Sequence, residues 1–454
     1  MALSFASAAL AIDNGLGLTP PMGYSSWNDC ASEVTEARIK QVTKHMISTG
    51  LAAKGYIHIN VDEGWLKARN ATTGELIGDR AKFPSGMKAL GDWIRDQDVP
   101  GKGKVMKYGL YTSRGDVQCS TQQYQGPGGH GYEKQDAAWL AAAGADYLKV
   151  DSCGGSQDHP TAFSDYGKWR DGLNATGRPV YLSLCGWYDW YAPTGASLGN
   201  SWRIAGDGTN WGALSNCANL NSKLQAYAKP GGWNDPDLLQ GTGVGSNDKA
   251  TNPNGCFDPK YIPQSKNWYQ NESQSRAQFT LWAVMAAPLL ISADVGQVSA
   301  HQLETWGNDE VIEVSQTFRA GGPYQAARLV GGDLNFGAVV GGGWTGSGHN
   351  VWGKLLPGSD FVLAFVSNED APTDVTCDDA CFAQLAPVAA AADEAAPSAW
   401  KVRDLWAHED VGTVEVGASG FSWTAKQLPI HGGIAAYRFS PATAADVVEM
   451  QMAR

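Results

Sequence analysis

The stretch Tyr147-Leu148-Lys149-Val150-Asp151-Ser152-Cys153 decides how the first two thirds of this sequence is read. It is a short, mostly apolar run that ends on a carboxylate. A strand covered on both faces reads this way, because neither side meets water. Seven more runs share the pattern: Pro21–Trp27, Tyr56–Glu63, Tyr108–Ser113, Val180–Cys185, Trp202–Asp207, Gly232–Asp237 and Pro288–Asp294. Amphipathic stretches separate most of them. Val34–Thr49 places Ile39, Val42, Met46 and Ile47 at helical spacing, and Glu133–Ala143 and Ser273–Ala287 read similarly. Gly50, Gly144 and Gly172 stand where helices would end. Eight strands in βα alternation predict an α/β fold, a closed (β/α)8 TIM barrel, with a doubly wound sheet as the competing architecture.

The same runs end on polar residues: Asp62-Glu63, Ser113-Arg114, Asp151, Cys185, Arg203 to Asp207, and Asp235 to Asp237. Loops are wet, so one such residue means little. Recurrence on run after run is the signal, since barrel enzymes carry their chemistry at the C-terminal ends of the strands. After about Glu313 the texture changes. Gly321-Gly322, Gly331-Gly332 and Gly341-Gly342-Gly343 punctuate runs such as Phe361–Val366, Lys401–Leu405 and Gly433–Phe439, which predicts a C-terminal antiparallel β-domain. The expected organisation is a signal-like segment 1–11, a catalytic barrel 12–313, a β-sandwich 314–440 and a tail 441–454. Leu385–Ala399, rich in Ala and Pro, reads as a loop.

Bulk properties narrow the partners. Lys+Arg 34 against Asp+Glu 46 gives a net charge of −12, with no basic patch. Nucleic acid and anionic membranes are therefore poor partners. No run is long and apolar enough to span a bilayer. The opening residues end in Ala9-Leu10-Ala11, a small-x-small pattern, and sequons begin at Asn70, Asn174 and Asn271; both suit a secreted or secretory-pathway protein. Eight cysteines occur without a Cys-x-x-Cys pair or a Cys/His cluster, so disulfides are expected rather than a metal site. Eighteen Trp and sixteen Tyr suit sugar rings, which have one apolar face, though barrel filling accounts for many of them. Two motifs are set aside. Gly195-Ala-Ser197-Leu-Gly199 resembles a nucleophile elbow but lacks the strand before it, and reads as a loop. Gly348 to Lys354 resembles a phosphate loop without its Ser/Thr, and reads as a turn.

Glycoside hydrolysis needs two carboxyl groups across the scissile bond. In a strand, Lys149 and Asp151 face the same side, so both would enter the barrel mouth. The ammonium would keep Asp151 ionised, as a nucleophile requires. The spacing fits a buried structural ion pair equally well. Trp202-Arg203-Ile204-Ala205-Gly206-Asp207 supplies a second carboxyl. As an acid/base it would need a raised pKa, which a charged Asp151 nearby would provide. Alternatively Asp207 is only a helix N-cap.

Several segments together are similar to glycoside hydrolase family 27, the α-galactosidases and α-N-acetylgalactosaminidases. They are Leu18–Asn28, Tyr56–Trp65, Phe83–Gly86, Tyr147–Cys153, Ser183–Trp187, Gly199–Asp207, Pro230–Asp237 and Ala286–Leu290. The resemblance implies a retaining exo-glycosidase acting on terminal α-D-galactosyl groups through a covalent glycosyl-aspartate, with no cofactor and no metal. It makes Asp151 the nucleophile and Asp207 the acid/base. Trp27, Asp62, Glu63, Lys149, Cys185, Trp187 and Arg203 become substrate-binding residues. Cys119 and Cys153 become a disulfide, and the partner is a carbohydrate.

The departures from the family bear on the substrate. Glu63 stands where the family has a second aspartate, and its extra methylene would push a carboxylate towards the galactosyl CH2OH. That favours β-L-arabinopyranose, which lacks the group. Gly186 replaces a common glutamate and would open room beside C2, as an α-N-acetylgalactosaminidase needs. Ser113-Arg114 replaces Asp-Ala, and the arginine would reach the cleft or pair on the surface. Gly64 replaces a cysteine, which deprives Cys30 of its expected partner. Gly241–Asn271 is long and aromatic, and would shape the leaving-group sites or simply decorate the surface. A family relative releasing isomaltose from dextran, and a non-catalytic sugar-binding barrel, complete the alternatives.

Overall fold

The computed structural model describes residues 14–120, 126–208, 210–241, 270–340, 343–385, 397–416, 420–443 and 446. Segment 1–11, most of the Gly241–Asn271 loop and most of Leu385–Ala399 lie outside them. Eight parallel strands form one sheet: β1 (Met22–Ser25), β2 (His58–Asn60), β3 (Lys107–Ser113), β4 (Tyr147–Asp151), β5 (Tyr181–Cys185), β6 (Ser201–Arg203), β7 (Trp233–Asp235) and β8 (Leu289–Ile291). β8 pairs with β1, and a parallel bridge from Leu239, just past β7, to Ile291 closes the ring. The ring excludes the doubly wound alternative. Each strand lies inside an apolar run read from the sequence or overlaps it to within a residue.

Helices Glu36–Ser48, Glu133–Ala142 and Glu272–Val284 match the amphipathic stretches. The first begins at Thr35, whose side chain accepts from the Arg38 amide. The third begins at a reciprocal cap between Asn271 and Gln274. Gly50 and Gly144 follow helices in the left-handed conformation that glycine adopts without strain. Gly172 does not end a helix. It lies inside His159–Ala175, where a Cβ would stand 3.1 Å from Ala137 Cβ and from the Glu133 carbonyl. Close helix approach selects that glycine. The motif around Ser197 is a helix, Ala192–Leu198, rather than a loop, and Ser197 Oγ donates to the Thr194 carbonyl. The segment around Lys354 is strand, His349–Leu355, rather than a turn.

Beyond the barrel, an antiparallel sheet runs in the order Ala327–Val330, His349–Leu355, Phe361–Ser367, Gly433–Pro441, Ala399–Asp404, Glu409–Glu415. Alternation along its third strand divides two cores. Val362, Ala364 and Val366 join the barrel's core, whereas Phe361, Leu363 and Phe365 join a second cluster with Trp400, Val402 and Phe439. The sheet therefore packs on the barrel through one face. Among the described residues no helix is long and apolar enough to cross a membrane.

Candidate active site

The C-terminal ends of the barrel strands open into a cleft lined by Trp27, Asp62, Glu63, Tyr111, Lys149, Asp151, Trp187, Arg203, Asp207 and Asp237. Thus nearly all residues singled out in the sequence converge, from strands far apart in the chain. Cys185 is the exception. It lines a smaller adjoining cavity with Ser25, Asn60 and Asp235, and burial pushes its thiol well above the ordinary range.

Asp151 ends β4 and is buried. Its Oδ1 accepts from the Ser152 amide at 2.9 Å, and its Oδ2 accepts from the Tyr111 hydroxyl at 3.1 Å. Lys149 Nζ is 3.9 Å from Asp151 Oδ2 but only 3.0 Å from Asp62 Oδ2. The ammonium therefore serves both carboxylates and leans on Asp62. Burial works against Lys149, yet Asp62 and Asp151 hold its pKa well above the ordinary value. Asp151 differs from the sequence expectation: burial raises its pKa, and Lys149 and the Ser152 amide only partly reverse this.

Asp62 is saturated. It accepts from Lys149, from Ser25 Oγ at 3.2 Å and from the Glu63 amide at 2.8 Å, which fixes the loop after β2. Glu63 is fully buried. Its Oε1 accepts from the Ser120 amide at 2.8 Å, and its Oε2 lies 3.3 Å from the Tyr111 hydroxyl. Burial pushes Glu63 up to about 8, against the pull of the Ser120 amide.

Asp207 follows β6 and is open, with 59% of its side chain exposed. The helix after it starts at Asn210, whose side chain accepts from the Ala213 amide, so Asp207 is not the N-cap. Arg203 Nη2 lies 3.2 Å from Asp207 Oδ1, and its Nη1 lies 3.0 Å from Asp237 Oδ1. The sequence expectation of a raised pKa is reversed. Burial is the largest single influence and raises it, but the charges of Arg203 and Lys149 and the Arg203 hydrogen bond together outweigh burial and bring the net shift down. The two carboxyls are therefore biased in opposite directions, Asp151 up and Asp207 down.

Tyr111 and Asp237 escaped the sequence reading as site residues. Tyr111 sits inside β3, two residues before the polar strand end, where it looked like barrel filling. Asp237 stood in a strand-end pair, and its backbone is a better sign: φ is 93°, a conformation that favours glycine. Its Oδ2 accepts from the Gly208 amide at 2.7 Å, tying the loop that bears Asp207 to the one after β7.

The departures resolve structurally. Arg114 neither enters the cleft nor lies on the surface. Fully buried, it donates to Ser152 Oγ at 3.0 Å and the Ser156 carbonyl at 2.6 Å, and pairs with Asp165 at 3.1 Å. It braces the loop that follows Asp151. Gly186 opens no room, because a Cβ there would lie 1.9 Å from Tyr191 Cε2. The Tyr191 ring fills that space, which removes the sequence support for a 2-acetamido sugar. Gly64 has φ 114° and a Ser32 carbonyl 2.3 Å from where its Cβ would stand, so no side chain fits. Cys30 is nonetheless disulfide-bonded. Cys119 joins Cys153, and Cys377 joins Cys381. The first closes a separation of 34 residues, worth about 3–4 kcal/mol in the entropic model, and ties the loops after β3 and β4. Among the described residues the one grouping of metal-ligand side chains is Cys119, Asp151 and Cys153, whose two sulfurs are bonded to each other.

Residues 19–254 and 246–317 match the family described as α-galactosidase A, and residues 346–438 match the α-galactosidase C-terminal β-sandwich domain. The chain is 33% identical over 404 residues to α-galactosidase 3 of Arabidopsis thaliana, covering 88% of this chain and 78% of that protein. It is 36% identical over 307 residues to the α-galactosidase of Cyamopsis tetragonoloba, covering 67% and 66% respectively. The crystal structure of α-galactosidase I from Mortierella vinacea superposes with a TM-score of 0.75 at 26% identity, over 95% of this chain and 100% of that one.

Proposed function

This chain belongs to the α-galactosidase A family of glycoside hydrolases, and from that premise we propose that it removes terminal α-D-galactosyl groups with retention, through a covalent ester on Asp151. The observation that carries this reading is the convergence of Asp151 and Asp207 on one cleft, each with its own fixed partners.

Asp62, Lys149 and Arg203 receive the sugar hydroxyls. When a hydroxyl engages Arg203 and water leaves the cleft, Asp207 loses both its ion partner and its solvent, and its pKa rises towards that of an acid. Asp151 attacks the anomeric carbon while Asp207 gives its proton to the departing oxygen. The C–O bond to the leaving group breaks as the ester bond forms. Asp207, now a carboxylate, takes a proton from water, whose oxygen displaces Asp151 and restores the starting state. The Tyr111 hydroxyl and the Ser152 amide hold the nucleophile's two oxygens in place throughout.

Turnover of an aryl α-galactoside, with the α-anomer as first product by NMR, is the expected result. A β-anomer first product would overturn retention, and no turnover would overturn the activity. A second reading, β-L-arabinopyranosidase, draws on Glu63 in the cleft. There, Glu63→Asp is expected to raise the galactoside-to-arabinopyranoside ratio of kcat/KM, within the roughly 10–200-fold that a methylene contributes. An unchanged ratio would remove that reading's support. The disulfides suit an extracellular or secretory setting.

A further inference from the structure

The loop after β5 carries a column of rings that the reaction at Asp151 does not use. The Tyr191 ring, packed on Gly186, stacks on Trp190 with centroids 3.9 Å apart and an interplanar angle of 23°. Trp190 also stacks with His159 at 4.0 Å and 23°, and with Tyr188 at 5.7 Å and 15°. Phe163 meets Trp190 edge-on at 5.5 Å, which limits the indole's freedom. Tyr191 is buried, while Tyr188 is 44% exposed and among the few large apolar side chains left open to solvent. His159, stacked on Trp190, and Asp189, the residue after Tyr188, are exposed too.

The position of this column matters as much as its make-up. Trp187 lines the cleft, and Tyr188 is the next residue, so their Cα atoms are about 3.8 Å apart. His159 belongs to the helix that follows β4, whose last residue is Asp151. The loops after two neighbouring barrel strands thus meet in the column, on the same end of the barrel as the cleft. An exposed ring held by a stack loses little freedom on binding. It offers a flat apolar face, and Asp189, the next residue along the chain, is exposed beside it. Those are the needs of a neutral pyranose, which has one apolar face and a hydroxyl rim.

We propose that Tyr188, backed by Trp190 and His159, is a stacking platform for a neutral pyranose of the leaving group, outside the ring that is released. This rests on the α-galactosidase reading above. It makes the enzyme discriminate between substrates of one ring and substrates of several, through contacts made away from Asp151 and Asp207.

The test compares wild type, Tyr188→Phe and Tyr188→Ala on two substrates: methyl α-D-galactopyranoside and a mannotriose carrying one α-galactosyl branch. Tyr188→Ala is expected to lower kcat/KM about three- to tenfold on the oligosaccharide, through KM, and to leave the methyl glycoside unchanged. Tyr188→Phe keeps the ring and is expected to behave as wild type on both. Equal losses on both substrates, or none on the oligosaccharide, would overturn the platform. The wild-type rate on the methyl glycoside tests the underlying activity separately.

Discussion

Replacing Glu63 with glutamine tests how the nucleophile is held. The Tyr111 hydroxyl lies 3.1 Å from Asp151 Oδ2 and 3.3 Å from Glu63 Oε2, but it has one hydrogen to donate. If Tyr111 donates to Asp151, an ionised Glu63 would face a lone pair. A protonated Glu63 instead donates to the Tyr111 oxygen, and every group is satisfied. Its position near pH 8, set first by burial and raised further by Asp62 and Asp151, agrees with that order. An ordinary glutamate releases its proton near 4.5. As pH rises from there through 8, the unfolded chain loses the proton and the folded chain keeps it, so stability falls across this window. At about 1.4 kcal/mol per pH unit, the cost reaches on the order of 5 kcal/mol above pH 8 as a ceiling. Glutamine can offer its oxygen to the Ser120 amide and an N–H to Tyr111, so it copies the neutral acid. Glu63→Gln should therefore match wild type near pH 4.5 and melt several degrees higher at pH 8.5, at about 1 °C or more per kcal/mol. It should also retain turnover of an aryl galactoside and lose the alkaline decline due to Glu63. Differential scanning calorimetry at the two pH values, with a pH profile of kcat/KM, reads both effects. A melting difference that does not change with pH would refute the protonated form. So would a loss of activity of a hundredfold or more in the glutamine variant.

Three further outcomes are expected. Asp151→Asn should abolish turnover while the thermal melt stays near that of wild type, because the amide is isosteric but forms no glycosyl ester; residual activity above about one per cent would remove Asp151 as nucleophile. Asp207→Ala should slow alkyl galactosides far more than substrates with acidic phenol leaving groups, and azide should partly restore it; equal losses on both classes would remove the acid role. Lys354 is buried between the β-sheet and the barrel, where it donates to the Val314 carbonyl, and burial lowers it to about 7. The unfolded chain binds that proton up to about 10.5, so the penalty is full below pH 7 and fades as pH rises towards 10.5. Lys354→Met should stabilise the protein by roughly 1–3 kcal/mol at pH 6 and less at pH 10; a loss at pH 6 would show that the Val314 bond outweighs burial.

Strand positions and the two central carboxyls were legible in the sequence. A strand covered on both sides must be apolar along its whole length, so Tyr147–Asp151 and its counterparts announce themselves locally. Period-2 alternation likewise put Lys149 and Asp151 on one face. Loop texture marked the β-domain, where Phe361–Ser367 and Gly433–Pro441 pair in register. Gly172 was misread because a glycine chosen for helix contact and one that ends a helix look alike without the partner helix.

Local pattern thus determined where the chain is strand, where helix, and which carboxyls stand at strand ends. Pairing across the barrel belonged to the tertiary structure alone. Closure brings Asp62 from the loop after β2 nearer to Lys149 than Asp151 is, places the Tyr111 hydroxyl between Asp151 and Glu63, and sets Arg203 between Asp207 and Asp237. It also fills the space beside Gly186 with Tyr191 and buries Arg114 under the loop after Asp151. Periodicity is a property of neighbours in sequence. The pKa values and pocket shape depend on desolvation and on charges tens to hundreds of residues away, which only the closed ring brings together.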